Sequence, residues 1–228
     1  MKKFTDGSGY KNLARVPHRP PRRRYLNIID GEWVSLEPLR PVWGSLRGLA
    51  INWWIEDISG ISAMTSLEEL TVSEYASGTF SLERLPCLTY LHLQVGPERA
   101  VSPQGDTVRE LVLYKPTKPW AEWIESLTQI RSLRLDRPRS LPAKLPASLR
   151  ELHVGLKTKG MPAVQGPAEL ELLSLTNIRG MRDLSAFGFA CNLKRLWIED
   201  CDELETLEGV GLAPGAEVLT IGRHSLDR

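Results

Sequence analysis

Hydrophobic residues recur along this chain in a fixed six-residue unit, in which positions one, four and six are apolar. The unit occurs nine times, and successive first positions lie 21, 21, 20, 22, 19, 21, 23 and 23 residues apart. Side chains alternate between the two faces of a β-strand, so positions four and six of each unit point to one face. The pattern predicts nine short strands, with apolar positions Leu46/Leu49/Ile51, Leu67/Leu70/Val72, Leu88/Leu91/Leu93, Val108/Leu111/Leu113, Ile130/Leu133/Leu135, Leu149/Leu152/Val154, Leu170/Leu173/Leu175, Leu193/Leu196/Ile198 and Ala216/Leu219/Ile221.

A strand with one apolar face cannot bury that face by itself. Neighbouring units therefore stack as parallel strands about 4.8 Å apart, and the roughly 15 residues between strands return the chain to the start of the next one. Repetition at such an interval is the sequence signature of repeat architectures. We therefore expect a solenoid.

The segments between the strands carry apolar residues of their own. In the first of them apolar residues recur every third residue, which suits a 3₁₀-like or extended coil. Residues 118–130 instead place Trp120, Trp123, Ile124 and Leu127 at helical spacing, with Pro119 near the start. We expect irregular return segments and one helix.

The repeats resemble the leucine-rich-repeat family over residues 46–221. Their length of 21–23 residues is similar to that of the short class typified by phosphatase-regulator and internalin-type repeats. The resemblance implies an α/β solenoid, with a curved parallel β-sheet on the concave face and irregular or short helical segments on the convex face. It also implies that the protein binds another protein.

One feature of that class is missing. Its repeats usually carry Asn, or sometimes Cys, at position nine, where the side chain satisfies backbone groups at the turn. In this chain only Cys201 fits; the equivalent residues are Trp54, Tyr75, Gly96, Pro116, Pro138, Lys157, Ile178 and His224. The absence of a regular Asn ladder predicts an irregular convex side.

The residues that precede the first unit divide into two segments. In residues 25–45, Asp30-Gly31 lies between apolar β-forming stretches, which predicts a capping hairpin. Residues 1–24 carry eight Lys or Arg against Asp6 alone, a charge of +7, and are rich in Pro. We expect them to form a basic, flexible arm, followed by a repeat domain over residues 46–228.

The chain as a whole is close to neutral, with a net charge of +1. This argues against a nucleic acid or an anionic membrane as the main partner. Three widely spaced cysteines, Cys87, Cys191 and Cys201, fit reduced, buried thiols. No secretory signal is visible, and no apolar run approaches the ~18 residues of a membrane span. We expect a cytoplasmic protein.

A catalytic constellation is not evident in the sequence. No phosphate-binding Gly-rich loop with Lys and Ser/Thr occurs, and residues 209–215 miss the dinucleotide-binding spacing. His92 and His153 both stand at position five of their units, but three strands apart, too far to share a metal ion. We therefore expect neither a metal, a cofactor nor an enzymatic activity.

Positions three, five and seven of each unit point outward onto the predicted concave face. Trp, Tyr and Arg dominate the energetics of protein interfaces because they bury much area at little entropic cost. The sequence therefore predicts a partner-binding site that comprises Tyr90, His92, Tyr114, Arg134, His153, Trp197 and Glu199.

The leading interpretation is a non-catalytic recognition module that binds another protein, as an inhibitor, an immunity or effector-type protein, or an adaptor. Two alternatives stay open: a recognition domain detached from a catalytic part, and a nucleic-acid-associated protein that uses the basic arm. Self-association through the last strand, at Ile221, is a further option, because an uncovered edge strand invites pairing.

Overall fold

The computed structural model describes residues 25–94, 100–101, 107–116, 118–138, 141–155 and 164–221. The chain is of the α/β class and forms two compact units, with the boundary between Val108 and Arg109. The basic arm predicted for residues 1–24 lies outside the described residues.

The described part of the first unit is built from short strands. Its main sheet is parallel, in the order β1-β3-β5-β7, and the register places Leu26, Leu49, Leu70 and Leu91 side by side. Positions four and six therefore stack on one face, as predicted. The strands are β1 (Tyr25–Ile28), β2 (Trp33–Ser35), β3 (Gly48–Ile51), β4 (Ile55–Asp57), β5 (Glu69–Val72), β6 (Phe80–Ser81), β7 (Tyr90–Leu93) and β8 (Ala100–Val101).

The capping hairpin predicted for residues 25–45 is wrong. β1 pairs in parallel with β3, and β2 pairs in parallel with β4, so the two segments flanking Asp30-Gly31 do not pair with each other. The turn itself forms, with Gly31 at a φ of 109° and its N–H bonded to Asp30 Oδ1 at 2.7 Å. Parallel pairing prevails because it stacks Ile28 on Ile51 and buries both. The segment acts as one more repeat.

The return segments of the first unit are largely 3₁₀ helix and short strand. The apolar residues spaced by three, from Ile55 to Leu67, are fully buried, which confirms the predicted 3₁₀-like conformation. β2 pairs with β4 and β6 with β8 in two small parallel sheets, and Ile55 also bridges to Ala76. The 3₁₀ helices span Glu37–Ser45, Ser59–Ala63 and Leu82–Arg84.

The second unit contains a parallel sheet with the order β9-β10-β11-β12-β13-β14. From β9 to β13 the register does not slip, so equivalent positions of successive strands are direct neighbours. The strands are β9 (Glu110–Tyr114), β10 (Ser132–Asp136), β11 (Glu151–Gly155), β12 (Leu172–Thr176), β13 (Leu193–Glu199) and β14 (Leu212–Ile221).

The predicted helix is present in the second unit as α1 (Lys118–Ser126). Trp120 and Trp123 are buried with their ring centroids 5.0 Å apart, and Ile124 and Leu127 are buried beside them. The other described return segments are irregular, apart from a 3₁₀ helix at Ser185–Phe187 and a bridge between Lys144 and Gln165.

The repeat pattern identifies the core of both units. Every one of the 24 apolar positions in the first eight predicted units is at most 3% exposed. At about 25 cal/mol per Å² of apolar surface, each buried Leu or Ile stabilises the fold by roughly 1.5–3 kcal/mol. The stacked apolar positions therefore hold the strands together.

The ninth unit departs from its predicted register. Val218 pairs with Leu196, and Leu219 pairs with Trp197, so Leu219 lies on the outward row and is 48% exposed. The prediction that Leu219 faces the core is therefore wrong. The register shifts between Leu193 and Arg195, where β14 carries extra residues around Gly215. Since side chains alternate along a strand, such a slip reverses the face of each one.

The turns that follow the strands differ between the two units. In the second unit position eight adopts a left-handed conformation, with φ of 50–56° at Lys115, Arg137, Asn177 and Asp200. Position nine then turns inward, and it is buried at Pro116, Pro138, Ile178 and Cys201. In the first unit the described residues at position eight have no such φ, and position nine is exposed at Trp54 and Tyr75.

Candidate functional site

The outward face of the second unit carries three rows of side chains across its strands, because the register places equivalent positions side by side. Five of the seven predicted site residues lie in these rows. From β9 to β13, position three is Glu110, Ser132, Glu151, Leu172 and Arg195; position five is Val112, Arg134, His153, Ser174 and Trp197; and position seven is Tyr114, Asp136, Gly155, Thr176 and Glu199.

A depression of about 320 Å³ opens in the position-seven row, where β11 carries a glycine. Gly155 lies in register between Asp136 and Thr176, so its missing side chain leaves a floor of backbone between two polar walls. The volume is at the small end of the range of about 300–1,000 Å³ found for ligand pockets. The lining residues are Tyr114, Arg134, Asp136, Arg137, Gly155, Thr176, Asn177 and Glu199.

Tyr114 is held at one side of this depression by two cations. Arg137 donates a hydrogen bond from Nη1 to the Tyr114 hydroxyl at 3.0 Å, and its guanidinium carbon lies 5.7 Å from the ring centroid. Lys115 places Nζ 4.7 Å from the same centroid. Both cations occupy position eight, so the left-handed turns bring them to the ring. Cations over an aromatic face contribute about 0.5–1 kcal/mol each at exposed sites.

Arg134 and Asp136 form an ion pair along β10. Arg134 Nε lies 3.1 Å from Asp136 Oδ2 and 3.3 Å from Oδ1. Both side chains are partly exposed, so the pair adds at most about 1 kcal/mol to stability. Its effect is to hold the guanidinium and the carboxylate together at the wall of the depression.

His153 lies at the centre of the position-five row, between Arg134 on β10 and Ser174 on β12. Burial, together with the nearby charge of Arg134, lowers the pKa of its imidazole below the ordinary value, against opposite contributions from Glu151 and Asp136. The ring is therefore neutral at pH 7. A neutral imidazole offers one donor and one acceptor.

At position three, an ion pair bridges two strands that are not adjacent. Arg195 Nη2 on β13 lies 3.3 Å from Glu151 Oε1 on β11, and Leu172 of the intervening strand is buried although it points outward. Position three is therefore covered only around Leu172, whereas Glu110 and Arg195 in the same row are exposed.

Trp197 and Glu199 occupy the β13 end of the face. The Trp197 side chain is 44% exposed and has Leu219 as its neighbour in register. Glu199 lines the depression, and its backbone carbonyl accepts hydrogen bonds from Asn177 N–H at 2.9 Å and from the Cys201 thiol at 3.4 Å. These bonds fix the backbone from which Glu199 projects.

The two remaining predicted residues, Tyr90 and His92, lie on β7 of the first unit. They are in register with Glu69 and Thr71, and both are half-buried. All residues that line the depression at Gly155 belong to the second unit. Five of the seven predicted residues therefore share the outward face of the second unit, and these five form the candidate site.

Sequence reasoning missed the residues that shape the depression. Gly155 carried a signal, because a glycine at position seven between longer side chains must leave a gap in that row. Arg137 and Asn177 lie at position eight, which an ideal strand would not direct towards the site. Their left-handed conformation brings them there, and of these two only Asn177 is of a type that favours it.

An unpredicted aromatic cluster lies in the first unit, at the carboxyl ends of β3 and β5. The exposed fractions of the residues in this cluster, which we call the aromatic edge, are 42% for Trp53, 59% for Trp54 and 54% for Tyr75. The bridge between Ile55 and Ala76 places Trp54 and Tyr75 on adjacent strands. Trp53 is fixed by a hydrogen bond from Nε1 to the Gly31 carbonyl at 2.8 Å.

The cysteines do not all match the prediction of buried thiols. Cys201 is fully buried at position nine, and this burial raises the pKa of its thiol. Cys87 and Cys191 are exposed, so the prediction is wrong for these two. Cys87 directly precedes the buried Leu88, which shows that a place next to a core position does not by itself imply burial.

Within the described residues, no cluster of three or more His, Cys, Asp or Glu could hold a metal ion. In the same ranges, no helix has both the length and the apolar character needed to cross a membrane. Comparison of the chain with models of protein families, with curated proteins and with solved structures finds no match.

Proposed function

We propose that this chain is a leucine-rich-repeat-type solenoid that acts as a non-catalytic recognition module and binds another protein. The contact surface is the outward face of the second unit, at positions five and seven of β9 to β13. The proposal rests chiefly on one observation, the depression at Gly155 in an otherwise continuous row of side chains.

The residues around the depression suit a protein partner. Tyr114 and Arg134 line the depression, Trp197 lies on the same face at β13, and all three are of the types that most often contribute strongly to interface affinity. Tyr114 is held by Arg137 and Lys115, and Arg134 is paired with Asp136, so little side-chain entropy is lost when a partner binds. A preorganised, mixed-charge surface favours a partner that inserts one polar side chain above Gly155.

The ion pair at position three supports the same location. The Arg195–Glu151 pair covers Leu172, and a partner would have to break that pair to reach it. Among the described residues, no such barrier is evident above Gly155. The partner therefore approaches from the carboxyl ends of the strands, where Trp197 and Glu199 also lie.

The test is to fill the depression without disturbing the strand. In Gly155→Gln the new Cβ would lie 3.3 Å from Asp136 Oδ1, which is the end of a side chain and can shift. Partners captured from a cell lysate by the unchanged protein are identified by mass spectrometry, and the affinity of the dominant one is then measured. We expect Gly155→Gln to weaken that affinity by about tenfold or more.

Gly44→Gln is the matched control, because a Cβ at Gly44 meets nothing within 4 Å. It should leave the affinity unchanged. Equal affinity of both variants and the unchanged protein would contradict the proposed site. A complex that contains only copies of this chain, seen as a mass that rises with concentration, would contradict a separate protein partner and favour self-association.

A further inference from the structure

The aromatic edge of the first unit lies among acidic residues. Asp30, Glu32, Glu56, Asp57 and Glu74 are all exposed and lie beside Trp53, Trp54 and Tyr75 in the sequence or in strand register. The stretch from Gly48 to Glu83 contains six Asp or Glu and no Lys or Arg. The edge therefore combines aromatic faces with an excess of negative charge.

Three of these carboxylates lack a cation among the described residues. Glu32, Glu56 and Glu74 form no ion pair there, whereas in the second unit Asp136, Glu151, Glu171 and Glu205 each lie within 3.7 Å of an Arg or Lys nitrogen. The overall charges show the same contrast. Residues 25–94 carry nine acids and three bases, and residues 109–221 carry fifteen of each.

The complementary charge lies immediately before Tyr25. Residues 1–24 carry +7, and six of their eight basic residues fall between Lys11 and Arg24. The same segment contains Pro17, Pro20 and Pro21. Proline-rich segments dock on aromatic-lined surfaces, and Arg side chains stack on Trp and Tyr. The arm therefore matches both features of the edge, the carboxylates and the rings.

The connection is short enough for the arm to reach the edge. The aromatic edge lies at the carboxyl end of the strands, so the chain that enters at Tyr25 must retrace about 10 Å along β1. It must then cross one or two strands of about 4.8 Å each. At about 3.1 Å per residue, roughly seven residues of extended Pro-rich chain span that distance.

We propose that residues 18–24 of this chain lead back along β1 and that residues 11–17, with Lys11, Arg15 and Pro17, dock on the aromatic edge and its acidic residues. Lys11 and Arg15 then offset part of the negative charge of Glu32, Glu56 and Glu74, and the docked segment covers the exposed rings of Trp54 and Tyr75. This contact involves residues of the arm and the first unit, whereas the proposed function rests on residues of the second unit, so either proposal can fail without the other.

Trypsin cleavage after Arg15 tests the contact in the full chain. A trace of isotope-labelled peptide with the sequence of residues 1–24 is added to the same tube as an internal reference for trypsin activity. At about 10 mM salt, where the Debye length is about 30 Å, we expect the arm to be cut about tenfold more slowly than the peptide. At about 1 M salt the Debye length falls to about 3 Å, and the protection should largely disappear.

Two sets of variants locate the contact. The triple variant Glu32→Gln, Glu56→Gln, Glu74→Gln should lose the protection at low salt, as should Trp54→Ala with Tyr75→Ala. The matched controls are Glu169→Gln with Asp202→Asn and Glu203→Gln, which makes the same change in net charge in the second unit, and Trp197→Ala. Both controls should keep the protection, and urea unfolding verifies that all variants fold.

Three results would overturn the proposal. Equal cleavage of the arm and the labelled peptide would show that the arm is not bound. Loss of protection in the charge control would show that only net charge matters. Protection that increases with protein concentration would show that the arm docks on a second copy of the chain.

Discussion

The two units share the same buried strand pattern but differ in the turn that follows each strand. In the second unit position eight is left-handed and position nine is buried, as at Asn177 and Ile178. In the first unit the chain continues past an exposed position nine, and position ten is buried instead, at Ile55 and Ala76. The same repeat pattern is therefore compatible with two different turns at the carboxyl ends of the strands.

This difference determines which residues reach the surface at the carboxyl ends of the strands. Left-handed turns in the second unit carry Lys115 and Arg137 to the Tyr114 ring and leave a depression at Gly155. The turns of the first unit, in which the described residues at position eight are not left-handed, expose Trp54 and Tyr75 among acidic residues. Hence the core pattern predicts the strands, while the turn conformation decides which side chains each unit exposes at their carboxyl ends.

The largest expected effect comes from truncation at position nine. Ile178 is fully buried and Tyr75 is 54% exposed. Ile178→Ala removes buried methylenes and leaves a cavity, so it should lower the free energy of unfolding by about 3 kcal/mol. Tyr75→Ala should cost less than about 1 kcal/mol. Urea denaturation measures both, and equal losses would contradict the assignment of two turn types.

Much of the fold could be predicted because burial requires a regular pattern. The apolar positions from Leu46 to Ile198 had to stack on one face, and the helical spacing of Trp120, Trp123 and Ile124 could bury them only on a helix. Two local sequence features led to wrong predictions, one for the hairpin at Asp30-Gly31 and one for the register of the last strand. The Asp30-Gly31 turn forms without a hairpin, since stacking of β1 on β3 outweighs it, and the residues around Gly215 shift the last strand by one position.

The candidate site was predicted less completely. Tyr114, Arg134 and Trp197 follow from strand alternation, because their faces are set by the core positions beside them. Arg137 could not be assigned in this way, since its direction depends on a left-handed φ of 52° that an Arg side chain does not favour. Trp54 and Tyr75 could not be placed from the sequence, because position nine is buried after one type of turn and exposed after the other.

Substitution of position eight by glycine should change the free energy of unfolding by a smaller amount, and with opposite sign in the two units. Asp200 has a φ of 50°, whereas the equivalent residue of the first unit, Glu74, is not left-handed. Asp200→Gly relieves the steric cost of that conformation and should stabilise the fold by about 0.5 kcal/mol. Glu74→Gly only adds freedom to the unfolded chain and should destabilise by about 0.5–1 kcal/mol.

Urea denaturation of the two glycine variants, run beside the unchanged protein, measures the difference. Both positions are exposed, so neither change removes buried surface. A loss of stability in both variants would show that the left-handed turn at Asp200 carries no relievable strain.

The smallest expected effect is a dependence of stability on pH that arises in the second unit at His153. Burial and the charge of Arg134 lower the pKa of the folded imidazole below its ordinary value of about 6.5. Below that pH the unfolded chain binds the proton more readily than the folded chain, so acidification favours unfolding. Above it both states are neutral, and His153 adds no pH dependence.

The difference in free energy of unfolding between the unchanged protein and His153→Gln, followed from pH 7 to pH 5, isolates this contribution from that of the carboxylates. As the pH falls, the unchanged protein should lose stability relative to the His153→Gln variant. In Arg134→Gln an NMR titration should give His153 a higher pKa than in the unchanged protein, yet one still below the ordinary value, because burial is the larger cause. A pKa that does not move in Arg134→Gln would show that Arg134 does not lie close enough to act on the ring.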